Sequence, residues 1–247
     1  MAKGGESVLE KQIKSKKRVA DHGEVFTAER EVNAMLDLVK NETERIDSRF
    51  LEPACGDGNF LVEILRRKLA VVKNNYKPIQ GNCEDYERNA IKAIMSIYGV
   101  DLLQDNVTAC RKRLYDIFYK EYKNVCKSKV SEGVCETAKF VFSKNILCGN
   151  ALTLKRVDEN ANDLEEPIIF AEWSFIDGGK VKRRDFRLDV LMKENEDQNN
   201  YDTQLSLFGD TADNADLWEI DPVTKEPIPK PIKEYPIVHY RRIAEYE

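Results

Sequence analysis

Residues 50–61 read FLEPACGDGNFL, an apolar strand-like run, a bend of small residues, and the start of an apolar helical pattern. Gly56 and Gly58 permit backbone angles and a close approach that a Cβ would forbid. A ligand can therefore lie directly over the bend, at the N-terminus of the helix that follows. The third glycine of the dinucleotide pattern is absent, and Glu52 and Asp57 are acidic. That suits a ligand cationic at its reactive end, a sulfonium with an ammonium, better than a pyrophosphate. Asp101, in YGVDL, falls at the end of a second strand-like run, where a carboxylate can accept both ribose hydroxyls. It lies about twice as far from Gly58 as the ~20 residues usual for that arrangement, so an extra helix must intervene. Asn150, in CGNAL, closes a third run, and its amide can pair with an adenine edge. Bends of this kind also occur where nothing binds, and the glycines alone leave both readings open.

Holding these groups together calls for alternating strands and helices. A helix is predicted from near Thr27, read as an N-cap, with Val32, Met35, Leu36 and Val39 at helical spacing. RFLEPA reads as a short strand and GNFLVEILRRKLAVVKNNY as a long amphipathic helix. A further helix covers about 84–97, then come a strand at IYGVDL, a helix at QDNVTACRKRLYDIFYKEY, and a third short strand near NILCGNAL. This alternation predicts a parallel sheet with helices against it. PIIFAEWSFIDGGKVKRRDFRLDVL reads as two β-segments turning at Asp177-Gly178-Gly179. Residues 193–234 are polar and poor in apolar side chains, the signature of disorder, while EYPIVHYRRIAEYE reads as a segment that docks back. The chain thus divides into a basic flexible arm (1–21), a cofactor-binding α/β domain (22–155), a β-hairpin extension (156–192) and a mostly disordered acidic tail (193–247).

A chain of 247 residues can hold one sizeable domain with an appendage, or two small ones. With 42% hydrophobic and 34% charged residues it reads as soluble, and no apolar run is long enough to cross a bilayer. The basic start lacks the apolar stretch of a signal peptide, so the expected location is cytoplasmic. Cys55, Cys83, Cys110, Cys126, Cys135 and Cys148 are scattered, without a CxxC pair or a histidine cluster. No zinc or other metal site is expected, and the thiols read as reduced and mostly buried. The net charge of -5 argues against coating nucleic acid without specificity; KQIKSKKR (11–18) is a solvated terminus or a phosphate contact.

LEPACGDGNFL resembles the S-adenosylmethionine-binding motif of the N6-adenine DNA methyltransferases, the group that includes restriction-modification methylases. HGEVFTAEREVNAMLDLV (22–39) is similar to the segment that precedes it there, with Ala28 where that family has proline. The resemblance covers about residues 19–155. It implies a Rossmann-like class I methyltransferase fold, here partial, with S-adenosyl-L-methionine as cofactor. It also implies a cofactor-binding set of Phe26, Thr27, Glu52, Pro53, Ala54, Cys55, Gly56, Asp57, Gly58, Asn59, Phe60, Asp101, Leu102, Asn150 and Ala151. In it Phe26 and Thr27 cover the methionine part, Asp101 holds the ribose and Asn150, in place of the more usual aspartate, the adenine.

The family's catalytic Asn/Asp-Pro-Pro-Tyr/Phe motif, which holds and stacks the flipped base, is absent from the sequence. Asp221-Pro222 is followed by Val223 in a polar stretch with no strand before it, and no catalytic residue is assigned. Without a fourth strand, RFLEP would be an apolar edge that something must cover. Either the 168–191 hairpin covers it, in a catalytically inactive cofactor-binding or DNA- or clamp-anchoring protein, or a second methyltransferase subunit supplies the strand and the Asn-Pro-Pro-Tyr motif. The expected partners are therefore DNA and that subunit. Gln204 to Phe208, QLSLF, resembles the peptide by which bacterial replication and repair proteins hold the sliding clamp. Trp173 and Phe175 read as core or interface, and Lys180, Lys182, Arg183 and Arg184 as a basic hairpin tip within reach of phosphates. His22 and His239 carry no assigned chemistry.

Overall fold

The computed structural model describes residues 14–22, 24–77, 82–197 and 217–246, and the chain divides into two compact units, 1–148 and 149–247. The first holds α1 (Lys16–His22), α2 (Glu29–Asp37), α3 (Lys40–Thr43), β1 (Phe50–Glu52), α4 (Asn59–Asn75), α5 (Glu84–Met95), β2 (Ile97–Asp101), α6 (Gln104–Cys126), α7 (Glu132–Asn145) and β3 (Ile146–Cys148). The strands form a parallel sheet in the order β1-β2-β3, with Phe50 opposite Ile97 and Gly99 opposite Ile146. Parallel neighbours need long crossovers, and the helices between them supply these. β2 lies in the middle, and Ile97, Tyr98, Gly99 and Val100 are buried on both faces as a central strand requires. The expected mixed α/β core, with helices flanking a parallel sheet, is present.

β1 is the edge strand. Among the described residues it pairs with β2 alone. The Phe50 N–H donates inward to the Ser96 carbonyl at 2.9 Å, so strand alternation turns the Leu51 N–H and C=O to the open side. The Leu51 side chain is 42% exposed.

Two expectations need correction in this unit. The first concerns Thr27, which is not a helix cap: α2 starts at Glu29 behind Ala28, which is extended and offers no side-chain bond. The Thr27 carbonyl instead accepts from Asn59 Nδ2 at 3.0 Å. The second concerns the cysteines, which are not all reduced. Cys83, just before α5, and Cys126, the last residue of α6, form a disulfide with their Cα atoms 5.9 Å apart. The start of α5 and the end of α6 bring together two residues that are 43 apart in sequence, a convergence no spacing rule reveals. Cys55, Cys110 and Cys135 are free and buried. The boundary between the two compact units falls at 148/149, and Asn150 pairs with Lys155 in the second.

The second unit is antiparallel. β4 (Lys155–Val157) pairs with β5 (Asp163–Pro167), and β6 (Ile169–Ile176) turns through Asp177–Gly179 into β7 (Lys180–Arg187). Gly178 and Gly179 both take positive φ, +74° and +75°, as the expected hairpin turn requires. After α8 (Leu188–Asp197) come β8 (Trp218–Ile220) paired with β9 (Pro227–Pro229), then β10 (Lys233–Glu234) and β11 (Val238–His239), both antiparallel to β7. Within the stretch 193–234, read as mostly disordered, residues 218–220 and 227–229 form paired strands, and in the segment read as docking back β11 pairs with β7. Short strands there add to the backbone of β7, and the Tyr235 ring packs 3.9 Å from the Arg183 guanidinium. Gln204–Phe208 lies outside the described residues. No described helix is long and apolar enough to cross a membrane.

Candidate functional site

The bend after β1 is held to the end of β2 by backbone bonds and one carboxylate. The Cys55 N–H donates to the Val100 carbonyl and the Gly58 N–H to the Cys55 carbonyl, at 2.9 and 2.8 Å. Gly56 and Gly58 take φ of +53° and +94°, left-handed backbone that L side chains resist. Asp101 closes the arrangement: Oδ2 accepts the Gly56 N–H at 2.9 Å, and Oδ1 accepts the Leu103 N–H at 2.9 Å and Asn106 Nδ2 at 3.0 Å. A carboxylate oxygen has two lone-pair sites, so Oδ1 is saturated and Oδ2 keeps one. A ribose diol that used both oxygens would displace the Asn106 amide.

Both glycine spaces are filled by the chain itself. A Cβ on Gly56 would stand 2.9 Å from the Phe26 ring, and one on Gly58 would stand 2.6 Å from Cys110 Sγ. Asp57, expected to attract a cation, faces Arg113 of α6, whose Nη1 lies 2.7 Å from Oδ1. Nη1 directs its hydrogens at the Asp57 carbonyl and Asn59 Oδ1, at 2.8 and 3.0 Å. Asp57 Oδ1 is thus buried against a charge yet receives no aimed donor. Glu52 has only a long 3.4 Å bond from the Ala54 N–H, and burial pushes its carboxyl above the usual range. A hydrogen bond to Cys110 and burial push the Cys55 thiol up and keep it protonated.

The residues before α2 lie against the same place. Arg18 forks onto Glu24 (Nη2 to Oε1, 2.7 Å) and onto Asp105 (Nη1 to Oδ2, 2.6 Å), and Lys14 reaches Asp105 at 3.1 Å. Arg18 holds the Asp105 carboxyl down at about 2. Burial alone would raise Glu24, but Arg18 and Asn106 outweigh it and pull it below its ordinary value. Asn106 is buried and joins the two groups, donating to Glu24 Oε1 at 2.7 Å as well as to Asp101.

No family model, curated protein or solved structure matches this chain. The site therefore rests on its own geometry.

Of the expected set, the structure brings together Phe26, Thr27, Cys55, Gly56, Asp57, Gly58, Asn59 and Asp101, through the contacts given above. Glu52, Pro53 and Ala54 lead into the bend, the latter two exposed, and Phe60 and Leu102 follow it and Asp101 as half-buried residues. Asn150 and Ala151 belong to the second unit. The Asn150 amide is engaged there, with Nδ2 donating to Asp163 at 2.9 Å and Oδ1 accepting from the Leu152 N–H at 3.0 Å. Sequence reasoning missed Arg18, Glu24, Asn106, Cys110 and Arg113. Asn106 alone left a trace, five residues after Asp101 at the start of a helix.

Of the basic residues expected at the hairpin tip, Lys180 adjoins the Asp177–Gly179 turn as the exposed first residue of β7. The other three lie farther along β7 paired with carboxylates: Lys182 with Glu234 (2.6 Å), Arg183 with Asp185 (2.8 Å) and Arg184 with Glu172 (3.1 Å). Paired charges have little left to offer a phosphate. Trp173 is buried and lies 5.7 Å from the Arg183 guanidinium, while Phe175 is half-buried. His239 Nδ1 accepts the Arg241 N–H at 3.3 Å and so caps the last turn. No group of His, Cys, Asp and Glu among the described residues could hold a metal ion.

Proposed function

We propose that this chain binds S-adenosyl-L-methionine at the bend after β1 and serves, in the cytoplasm, as the cofactor-binding subunit of a split adenine-N6 DNA methyltransferase of a restriction-modification or phage-defence system. The observation that carries the reading is Asp101, whose carboxylate ties the positive-φ bend at Gly56 to the start of α6 and keeps one acceptor site. Around it Glu52, desolvated and held by one long bond, is the carboxyl suited to a cation, while Asp57 is already ion-paired with Arg113. Such a ligand requires the Phe26 ring to leave Gly56, and Cys110 keeps the place beside Gly58. The cofactor would supply an activated methyl group. This chain's residues would orient it and exclude water, and the target base and the group that holds it would come from a second subunit. The open β1 edge, with Leu51 outward, is where that subunit's strand would add.

Isothermal calorimetry with S-adenosylmethionine tests this. Wild type is expected to bind, and Asp101→Ala to lose at least about tenfold in affinity, the weight of one or two charge-assisted hydrogen bonds. No heat with wild type, alone or with the product of the neighbouring gene, rejects the cofactor assignment.

A second reading, a catalytically inactive methylase-like protein that anchors a complex to DNA or to the sliding clamp, is favoured by the packing of Phe26 and Cys110 into both glycine spaces. It predicts that cofactor stays out even after Phe26→Ala.

A further inference from the structure

The described residues between Lys14 and Ala28 touch the bend and the heads of both helices beside it. Phe26 covers Gly56, the Thr27 carbonyl takes Asn59 at the head of α4, and Lys14, Arg18 and Glu24 grip Asp105 and Asn106 at the head of α6. Within this segment the Arg18 guanidinium is bonded on one side to Glu24, its own neighbour in sequence, and on the other to Asp105 of α6. The same Asn106 that receives Glu24 also binds Asp101, so the segment is coupled to the carboxylate of the site.

We propose that this segment is an autoinhibitory strap, closed over the bend by an ionic latch of Arg18 with Glu24 and Asp105, and that it must open before a cationic nucleoside enters. The identity of that ligand rests on the function proposed above; the latch does not. The Glu24 arm of the latch is shielded, with that side chain 8% exposed, and the strap opens at the Asp105 arm, where the Arg18 and Asp105 side chains are 25% and 55% exposed. An ion pair of this exposure is worth little and is screened by salt. The cover itself is a single ring resting on a glycine, not a packed core.

Amide hydrogen exchange on the full chain, followed by mass spectrometry, reads the latch without any ligand. Arg18→Ala, and independently Asp105→Asn, should speed exchange over 24–28 and at Gly56 by about two- to fivefold. Wild type should move in the same direction between low and high salt. Stopped-flow association of S-adenosylmethionine should accelerate in the same variants. Unchanged exchange over 24–28 overturns the latch, and faster exchange there with Gly56 unchanged overturns the strap as the cover of the bend. Faster exchange at both places with S-adenosylmethionine bound by neither wild type nor variants supports the strap and removes the cofactor reading. Faster exchange with unaltered association of a cofactor that does bind overturns the gating.

Discussion

Glu52 shows how a residue can be prepared for a ligand by what it lacks. Its carboxyl is desolvated, its one bond is the long contact from the Ala54 N–H, and its pKa is raised for the first of these reasons. A bound cation stabilises the ionised form, so binding and ionisation are linked. Between the ordinary value of 4.5 and its raised value, Glu52 is protonated in the free protein and must release a proton when a sulfonium or ammonium arrives. Affinity for S-adenosylmethionine should therefore fall as pH falls through that window. Calorimetry at successively lower pH, down to 4.5, should show the loss in wild type and a flatter profile in Glu52→Gln. An identical profile in the two proteins would remove Glu52 from the site.

Among the elements, the approach to β1 depends on one lysine. Lys68 of α4 is fully buried, and its Nζ, with three hydrogens to donate, lies within hydrogen-bonding distance of four oxygens, the carbonyls of Arg45, Ile46 and Ser48 and Ser96 Oγ, at 2.9, 3.1, 2.6 and 2.9 Å. It also lies 5.2 Å from the centre of the Phe50 ring. The segment entering β1 is thus fastened to α4 and to the residue before β2, which is how a three-residue edge strand keeps its register. Burial pulls the Lys68 ammonium from 10.5 down to about 8. The folded chain then loses this proton earlier than the unfolded chain, and the unfolded state binds more protons between the two values. Stability from this group should therefore rise with pH from about 8 to 10.5, by up to about 3 kcal/mol. Urea titrations across that range should show the rise in wild type relative to Lys68→Met, which has nothing to titrate. A constant difference between the two would mean that the four oxygens hold the ammonium charged throughout.

For the molecule as a whole, the disulfide and the division into two units give a joint expectation. Cys83 and Cys126 both lie in the first unit. Closing a loop of that length removes on the order of 4 kcal/mol of chain entropy from the unfolded state, by the loop-entropy relation. Scanning calorimetry should resolve two transitions, and a reductant, or Cys83→Ser with Cys126→Ser, should lower only one of them. Equal shifts in both, or none, would refute either the independence of the units or the bond.

The run FLEPACGDGNFL carries its own instructions: apolar residues for a strand, glycines where φ must be positive, an apolar stripe for α4. Asp101 was legible for the same reason, as a carboxylate closing an apolar run. These are local facts, set by sterics and hydrophobic period over a few residues. The sequence alone settled the β-bend-α corner, the alternation that makes the sheet parallel, and the hairpin turn at Asp177–Gly179. What fills the glycine spaces was not local. Phe26 and Cys110 come from 30 residues before Gly56 and 52 after Gly58, and only the folded chain brings their side chains to the bend. Likewise Arg113 meets Asp57, Cys83 meets Cys126, and β10 and β11 find β7, across distances that no periodicity spans. Charge pairing and packing between distant segments are properties of the assembled core, and tertiary structure alone decided that the corner is presently covered, its aspartate paired and its basic strand neutralised.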